Sequence, residues 1–247
     1  MKKLFIFILF AFFIGVGSIS ATTVLLMHME DEGLTDSSGR NHSISIYNNG
    51  ASRSSAEKKV GEYSAYFNGS GWLDIPFSSD WDLPDDFTID FWIMPTTSSS
   101  FYGIIGNQPV GSTPGSWGIG AGTSYNPYMM VTRNPSTNLH SDTNLPINEW
   151  SHVVFVRQNG IITAYINGVD SGSLEYSSML DNTEDSMTIG RWHPNYGGYL
   201  FTGYLDELRI VKGEALISSV PEPATIMALL LAFFSLRILR KRGFFLF

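Results

Sequence analysis

Aromatic and polar side chains crowd one short stretch of the chain, RWHPNYGGY from Arg191 to Tyr199, which sits between two segments of strand-like composition. Carbohydrate recognition asks for such groups: rings to stack on sugar faces, and imidazole, amide and hydroxyl groups to bond the hydroxyls. Trp192, His193 and Tyr196 are the candidate ligand contacts. A second stretch, WGIGAGTSYNPYMMVTRN, adds Trp117, Tyr125, Asn126, Tyr128 and Arg133, with Tyr125 and Tyr128 as the alternative location. The same rings serve equally well packed beneath a long loop, so exposure decides between ligand contact and core.

Hydrolytic chemistry is harder to find. Cleaving a glycosidic bond takes two carboxyl groups roughly 5 to 10 Å apart, one to donate a proton and one to act as nucleophile or base. The segment FTIDFWIM offers only Asp90, between Thr88 and Trp92. Asp206 and Glu207 are neighbours on an expected strand and should point to opposite faces. Asp85 and Asp86 precede a strand and read as turn residues. His28, His42, His140, His152 and His193 are scattered, without the spacing of a metal hydrolase or a nucleophile and its base. No catalytic set is expected.

The elements that position these residues read as β. In FTIDFWIM, Phe87, Ile89, Phe91 and Ile93 alternate with Thr88, Asp90, Trp92 and Met94, the period of a strand with one core face. Asn159-Gly160 and Asn167-Gly168 punctuate SHVVFVRQNGIITAYINGVDSG, predicting three antiparallel strands joined by type I′ turns. Further runs begin at Val24, Ser43, Ser64, Tyr102, Tyr128, Met187 and Tyr204, divided by Gly, Pro, Asn and Ser. Nothing of helical period lies between them. The expected fold is all-β, two antiparallel sheets packed as a jelly-roll sandwich. Trp72, Trp81, Trp92 and Trp150 are expected in its core or at its rim.

The ends are different. Residues 1–20 carry Lys2 and Lys3, an apolar run from Leu4 to Val16 and small residues at Ser18 and Ser20, the pattern of a signal peptide rather than of a full membrane span. At the other end Ala224–Leu236 spans roughly 20 Å as a helix, short of a hydrocarbon core of about 30 Å, and Arg237, Arg240, Lys241 and Arg242 would hold it with its basic end in the cytoplasm. The domain between, residues 21–215, is acidic. Residues 21–219 hold 9 Lys and Arg against 22 Asp and Glu, a net charge of −13 where the whole chain shows −8. Such a surface repels nucleic acid and anionic lipid. With no cysteine the exported domain rests on its core, with or without the help of a metal.

Two resemblances follow from these residues. VPEPA at Val220–Ala224, followed by the apolar run and the basic cluster, resembles a PEP-CTERM sorting signal, here residues 216–247, with GFFLF added after the cluster. The resemblance implies a Gram-negative host, recognition at Pro221, Glu222 and Pro223 by an exosortase after signal-peptidase cleavage, transient anchoring in the membrane, and delivery to the cell surface or beyond. Cleavage and retention as an anchor both stay open. The blocks LLMHME, DSSGRNHSISIYNNGA, KKVGEYSAYFNGSGWLDIPFSSDWDLPDDFTIDFWI, WSHVVFVRQNGIITAYINGV and FTGYLDELRIVKGEA resemble, in order, LamG-like domains of the concanavalin A-like lectin and glucanase superfamily. That resemblance implies a jelly roll and a structural Ca²⁺, with Asp206 paired to a group near Glu30 or Asp31. Its glucanase branch carries an E-x-D-x-x-E strand, which Asp90 alone does not match. The expectation is a non-enzymatic surface or matrix protein that binds an extracellular polysaccharide or other glycan. The alternatives are an adhesion protein that binds other proteins and, third, a glycoside hydrolase.

Overall fold

The computed structural model describes residues 21–99, 101–107, 116–123, 125–131, 137–180, 186–192 and 198–216. The expected signal peptide, the sorting motif Pro221-Glu222-Pro223 with its apolar run, and His193 and Tyr196 lie outside the described residues. In chain order the strands are β1 (Thr22–Met27), β2 (Ser45–Ile46), β3 (Ala51–Ser54), β4 (Ser64–Asn68), β5 (Leu73–Ile75), β6 (Phe87–Pro95), β7 (Tyr102–Gly106), β8 (Gly118–Gly122), β9 (Tyr125–Met130), β10 (Leu139–His140), β11 (Ser151–Gln158), β12 (Ile161–Ile166), β13 (Val169–Glu175), β14 (Met187–Ile189) and β15 (Thr202–Lys212). Among the described residues no helix is long and apolar enough to cross a membrane.

The strands form two antiparallel sheets. An eight-stranded sheet runs β13-β12-β11-β6-β15-β4-β3, with β1 also paired to β15, and a seven-stranded sheet runs β10-β9-β8-β7-β14-β5-β2. One hydrophobic cluster draws on both, with Phe67, Phe91, Phe155 and Leu205 from the first and Leu73, Ile104, Ile119 and Ile189 from the second. The alternation in β6 comes out as expected: Phe87, Ile89, Phe91 and Ile93 are fully buried in the core, and the strand is central, between β11 and β15. Its other face is covered near Thr88. Thr88 Oγ1 donates to the carbonyl of Glu214 and accepts from the amide of Leu216, so the chain leaving β15 folds back over the outer face of the sheet, where Ala215 packs on Val154 and Val156.

The Asn-Gly pairs turn where their backbone preference places them. Asn159 (φ 50°) and Gly160 (φ 79°) join β11 to β12, and Asn167 (φ 52°) and Gly168 (φ 81°) join β12 to β13, left-handed at both positions as a type I′ turn requires. Trp81 and Trp117 are both fully buried, and the Trp117 indole donates to the carbonyl of Trp81. Trp117 is therefore core, not the ligand contact its loop suggested. Arg157, only 2% exposed, donates to the carbonyls of Leu83, Asp85 and Ser178, and so ties the approach to β6 and the exit of β13 to β11.

β15 departs from simple alternation. Its register against β6 pairs Asp206 with Trp92 and Arg209 with Asp90, which leaves Glu207 and Leu208 opposite Phe91, a β-bulge with Glu207 at φ 50°. Asp206 and Arg209 consequently share the outer face, and Glu207 joins them there instead of pointing away from Asp206. The bulge lies where the second edge of β15 passes from β4 to β1, and there Asp206 Oδ2 accepts the amides of Lys59 (2.9 Å) and Val60 (3.0 Å).

Candidate functional site

Five rings from four stretches of the sequence meet on the seven-stranded sheet. Phe101 leads into β7, Tyr128 lies on β9, His140 on β10, Trp192 follows β14, and Tyr199 precedes β15. Phe101 is the hub: its centroid is 5.0 Å from Trp192 and 5.2 Å from Tyr199, both edge-on, and 5.6 Å from Tyr128. Tyr128 closes the cluster, 5.4 Å from Trp192 and stacked on His140 at 5.0 Å. The register explains the meeting. Gly103 pairs with Gly120, Gly120 with Tyr128, and Tyr128 with His140, one cross-strand row on one face of the sheet.

Glycine makes room for the rings. A Cβ on Gly120 would stand 2.7 Å from the Phe101 ring, and one on Gly103 would collide with the backbone of Trp192. The loop that carries Trp192 and Tyr199 is stapled at its base by the Arg191–Leu200 bridge and by the amide of Gly103 donating to the carbonyl of Tyr199 at 2.9 Å. Arg191 fixes the stem further. Its guanidinium lies 4.0 Å over the Trp72 ring, which also stacks on Tyr47 (5.0 Å, 6°); burial pushes the Arg191 pKa down, and Asp74 partly counters it.

Exposure grades across the cluster. Tyr128 is nearly buried at 9%, Phe101 and Trp192 are half-buried, and His140 and Tyr199 are exposed, the latter at 47%. The surface is thus an aromatic platform on a rigid base, suited to stacking on the apolar face of a ring-shaped polar ligand. Trp192 of the expected contacts is in it, as is Tyr128 of the alternative stretch. Tyr199 closes the same aromatic stretch as Trp192, His140 joins through its register with Tyr128, and Phe101 joins only through its ring contacts.

The expected metal residues divide. Asp206 is fully buried; its Oδ1 has no hydrogen-bond partner, and burial pushes its pKa up, with the amides of Val60 and Lys59 pulling it down. Glu30 Oε1 accepts the amides of Glu62 and Tyr63, so Glu30 and Asp206 hold the two ends of one short loop, residues 59–63. Asp31 is exposed and turned into its own turn, accepting the amide and hydroxyl of Thr35. Among the described residues no three His, Asp or Glu side chains converge as a ready metal cluster. An orphaned, buried carboxylate oxygen on Asp206 nonetheless fits a hard cation, which takes oxygen ligands including loop carbonyls.

Residues 67–216 match the Laminin_G_3 family of the Concanavalin A-like lectin/glucanases superfamily. The chain belongs to that superfamily. No curated protein matches it. Among solved structures, domain 4 of AbnA, a GH43 extracellular arabinanase from Geobacillus stearothermophilus in complex with arabinotriose, is 21% identical, with a TM-score of 0.55 over 81% of this chain and 97% of that one. The binding domain of Paraclostridial Mosquitocidal Protein 1 is 19% identical (TM-score 0.60), covering 81% of this chain and 51% of its own. A structure of botulinum neurotoxin type C, whose cell entry is dependent upon interaction with two ganglioside molecules, is 16% identical (TM-score 0.59), with coverage of 81% of this chain and 51% of that one. At these identities the likeness shows the fold, and the chain spans about half the length of the two toxin structures.

Proposed function

We propose that this is an exported surface or matrix protein whose sandwich binds carbohydrate through the Phe101–Tyr128–His140–Trp192–Tyr199 platform. The observation that carries the reading is the graded exposure of five rings in mutual contact over the Gly103–Gly120–Tyr128–His140 row. The superfamily and the arabinotriose and ganglioside named for similar structures support a glycan as the partner. Export rests on the signal-like residues 1–20, the acidic domain and the Pro221-Glu222-Pro223 tail, which supports an exosortase and passage through the inner membrane to the cell surface. Binding without hydrolysis is supported by Asp90, whose carboxylate is committed to Arg209 at 2.9 Å. A structural calcium would take Asp206 Oδ1 and Glu30 as its carboxylates and cancel the charge that burial disfavours.

The test is a titration of wild-type, Trp192→Ala and Tyr199→Ala protein against the polysaccharide of the host's own matrix. Each substitution is expected to weaken binding roughly 5- to 150-fold, the scale of losing one aromatic anchor. Tyr199→Ala, at a half-exposed ring, should leave the melting temperature almost unchanged. Folded variants that bind as well as wild type would place the ligand elsewhere.

A further inference from the structure

The outer face of the eight-stranded sheet, on the far side of the core from the platform, holds a cleft of about 460 Å³ whose lining includes Leu26, His28, Asp90, Trp92, Glu207 and Arg209. That volume lies within the roughly 300 to 1,000 Å³ of small-molecule sites. Its polar groups come in opposite-charge couples. Arg209 Nε donates to Asp90 Oδ2 at 2.9 Å, His28 Nδ1 meets the Glu207 carboxylate at 2.9 Å, and His152 Nε2 stands 3.7 Å from Asp90 Oδ1. The Trp92 indole supplies a flat wall, with His152 stacked at 4.8 Å and the Lys59 ammonium 4.1 Å from its centroid.

This composition is specific about charge. An anionic ligand meets Asp90 and Glu207, and a cationic one meets Arg209 and Lys59, so neither sign is favoured. A neutral polyol meets a carboxylate and a donor side by side at two places, which suits vicinal hydroxyls that donate one hydrogen bond and accept another. The carbon face of such a ligand has the indole and Leu26 to lie against. The bulge in β15 is what builds the arrangement. Without the extra residue, Arg209 and Asp206 would not share a face with Asp90 and Trp92, and Glu207 would not reach the cleft.

We propose that this cleft is a second carbohydrate-contact site, taking one neutral sugar residue against Trp92 between the Asp90–Arg209 and His28–Glu207 couples. It is independent of the aromatic platform, and the two sites lie on opposite faces of the sandwich. A single domain therefore holds two polymer strands at once, which makes it a cross-linker and not merely a decoration of one strand.

The test follows the indole Nε1–H signals by NMR while glucose, galactose and arabinose, then glucuronate and glucosamine, are added to wild-type and Trp192→Ala protein. Trp92→Phe assigns the Trp92 signal. At least one neutral sugar is expected to shift that signal in wild type and equally in Trp192→Ala. Arg209→Gln should weaken the response at Trp92 about tenfold or more and leave that at Trp192 intact. Lys58→Ala, on the same exposed loop but outside the cleft lining, controls for folding and should keep the response. Movement at Trp192 alone overturns the cleft and leaves the platform standing, and movement at Trp92 alone does the reverse. A Trp92 signal that moves for glucuronate or glucosamine but for no neutral sugar overturns the proposed class, and one that no sugar moves overturns the site.

Discussion

Asp206 concentrates the residue-scale electrostatics of the domain, and its sign is unusual. Burial raises its pKa above the ordinary 3.8, helped by the Glu207 carboxylate and opposed by the amides of Val60, Lys59 and Glu207. A carboxyl whose folded pKa is raised contributes stability that is complete below the unfolded pKa and lost as pH climbs through the folded one. Asp31 and Asp36 behave oppositely. Burial pushes both up, but hydrogen bonds from Thr35, Gly33 and Leu34 together outweigh it at Asp31, and those from Ser38, His42 and Leu26 outweigh it at Asp36, so both end below 3.8. Their contribution is present above the unfolded value and fades as pH falls through the lowered pKa. In EDTA near neutral pH, Asp206→Asn is therefore expected to raise the melting temperature, because an amide keeps an acceptor for the loop amides without a buried charge. In excess calcium the same substitution is expected to lower it, because only wild type gains the linkage stabilisation of a bound ion. Melting curves that ignore both chelator and substitution remove calcium from Asp206.

The elements differ in how openly the sequence declares them, and the platform depends on the least open of them. β6 and the β11–β12–β13 hairpins are legible because alternation and Asn-Gly turns are local signals. β8, Gly118–Gly122, reads GIGAG, whose glycines carry no strand propensity, and neither it nor the short β3 and β10 carries a local strand signal. Yet those glycines are why the rings fit. Gly103→Ala places a methyl group against the Trp192 backbone, where backbone cannot yield as a side-chain tip does. The expected cost is about 1 to 3 kcal/mol in denaturant unfolding, with loss of glycan binding although no ring has been removed. A Gly103→Ala protein of wild-type stability and affinity would mean that the Arg191–Trp192 stem is not held against β7. The site was thus half legible. Trp192, Tyr199 and Tyr128 lie in stretches whose composition points to it, whereas His140 joins through a register with Tyr128 and Phe101 through ring contacts that only the folded sheet defines. The bulge at Glu207 was hidden for the same reason, since strict alternation assigned Asp206 and Glu207 to opposite faces.

At the scale of the whole molecule the sandwich has a polarity. Thr22 pairs with Lys212, so the chain enters and leaves the domain at one end of the eight-stranded sheet, and Leu216 is bonded to Thr88 on that sheet's outer face. The aromatic platform belongs to the other sheet. A tether continuing beyond Leu216 therefore pulls from the side opposite the rings and leaves them facing outward, whether the tether is a membrane segment or an engineered linker. Protein immobilised through its C-terminus is expected to bind polysaccharide at full capacity, whereas immobilisation at a cysteine introduced for Thr123, an exposed residue at the end of β8, should block the platform. Equal capacity in both orientations would place the ligand off the seven-stranded sheet. The same polarity gives the proposed sorting tail a readable phenotype. Glu222→Ala is expected to leave the protein exported but unprocessed, because the recognition element is lost while the apolar run and the basic cluster that follow it remain. Mass spectrometry of the surface fraction reads the C-terminal residue directly. Wild type should end near Pro221-Glu222-Pro223 and the variant should retain Arg242, with glycan binding on the cell unchanged in both because the rings face away from the attachment point. Identical C-termini would make the segment a plain anchor, and binding lost on retention would show that the platform faces the membrane after all.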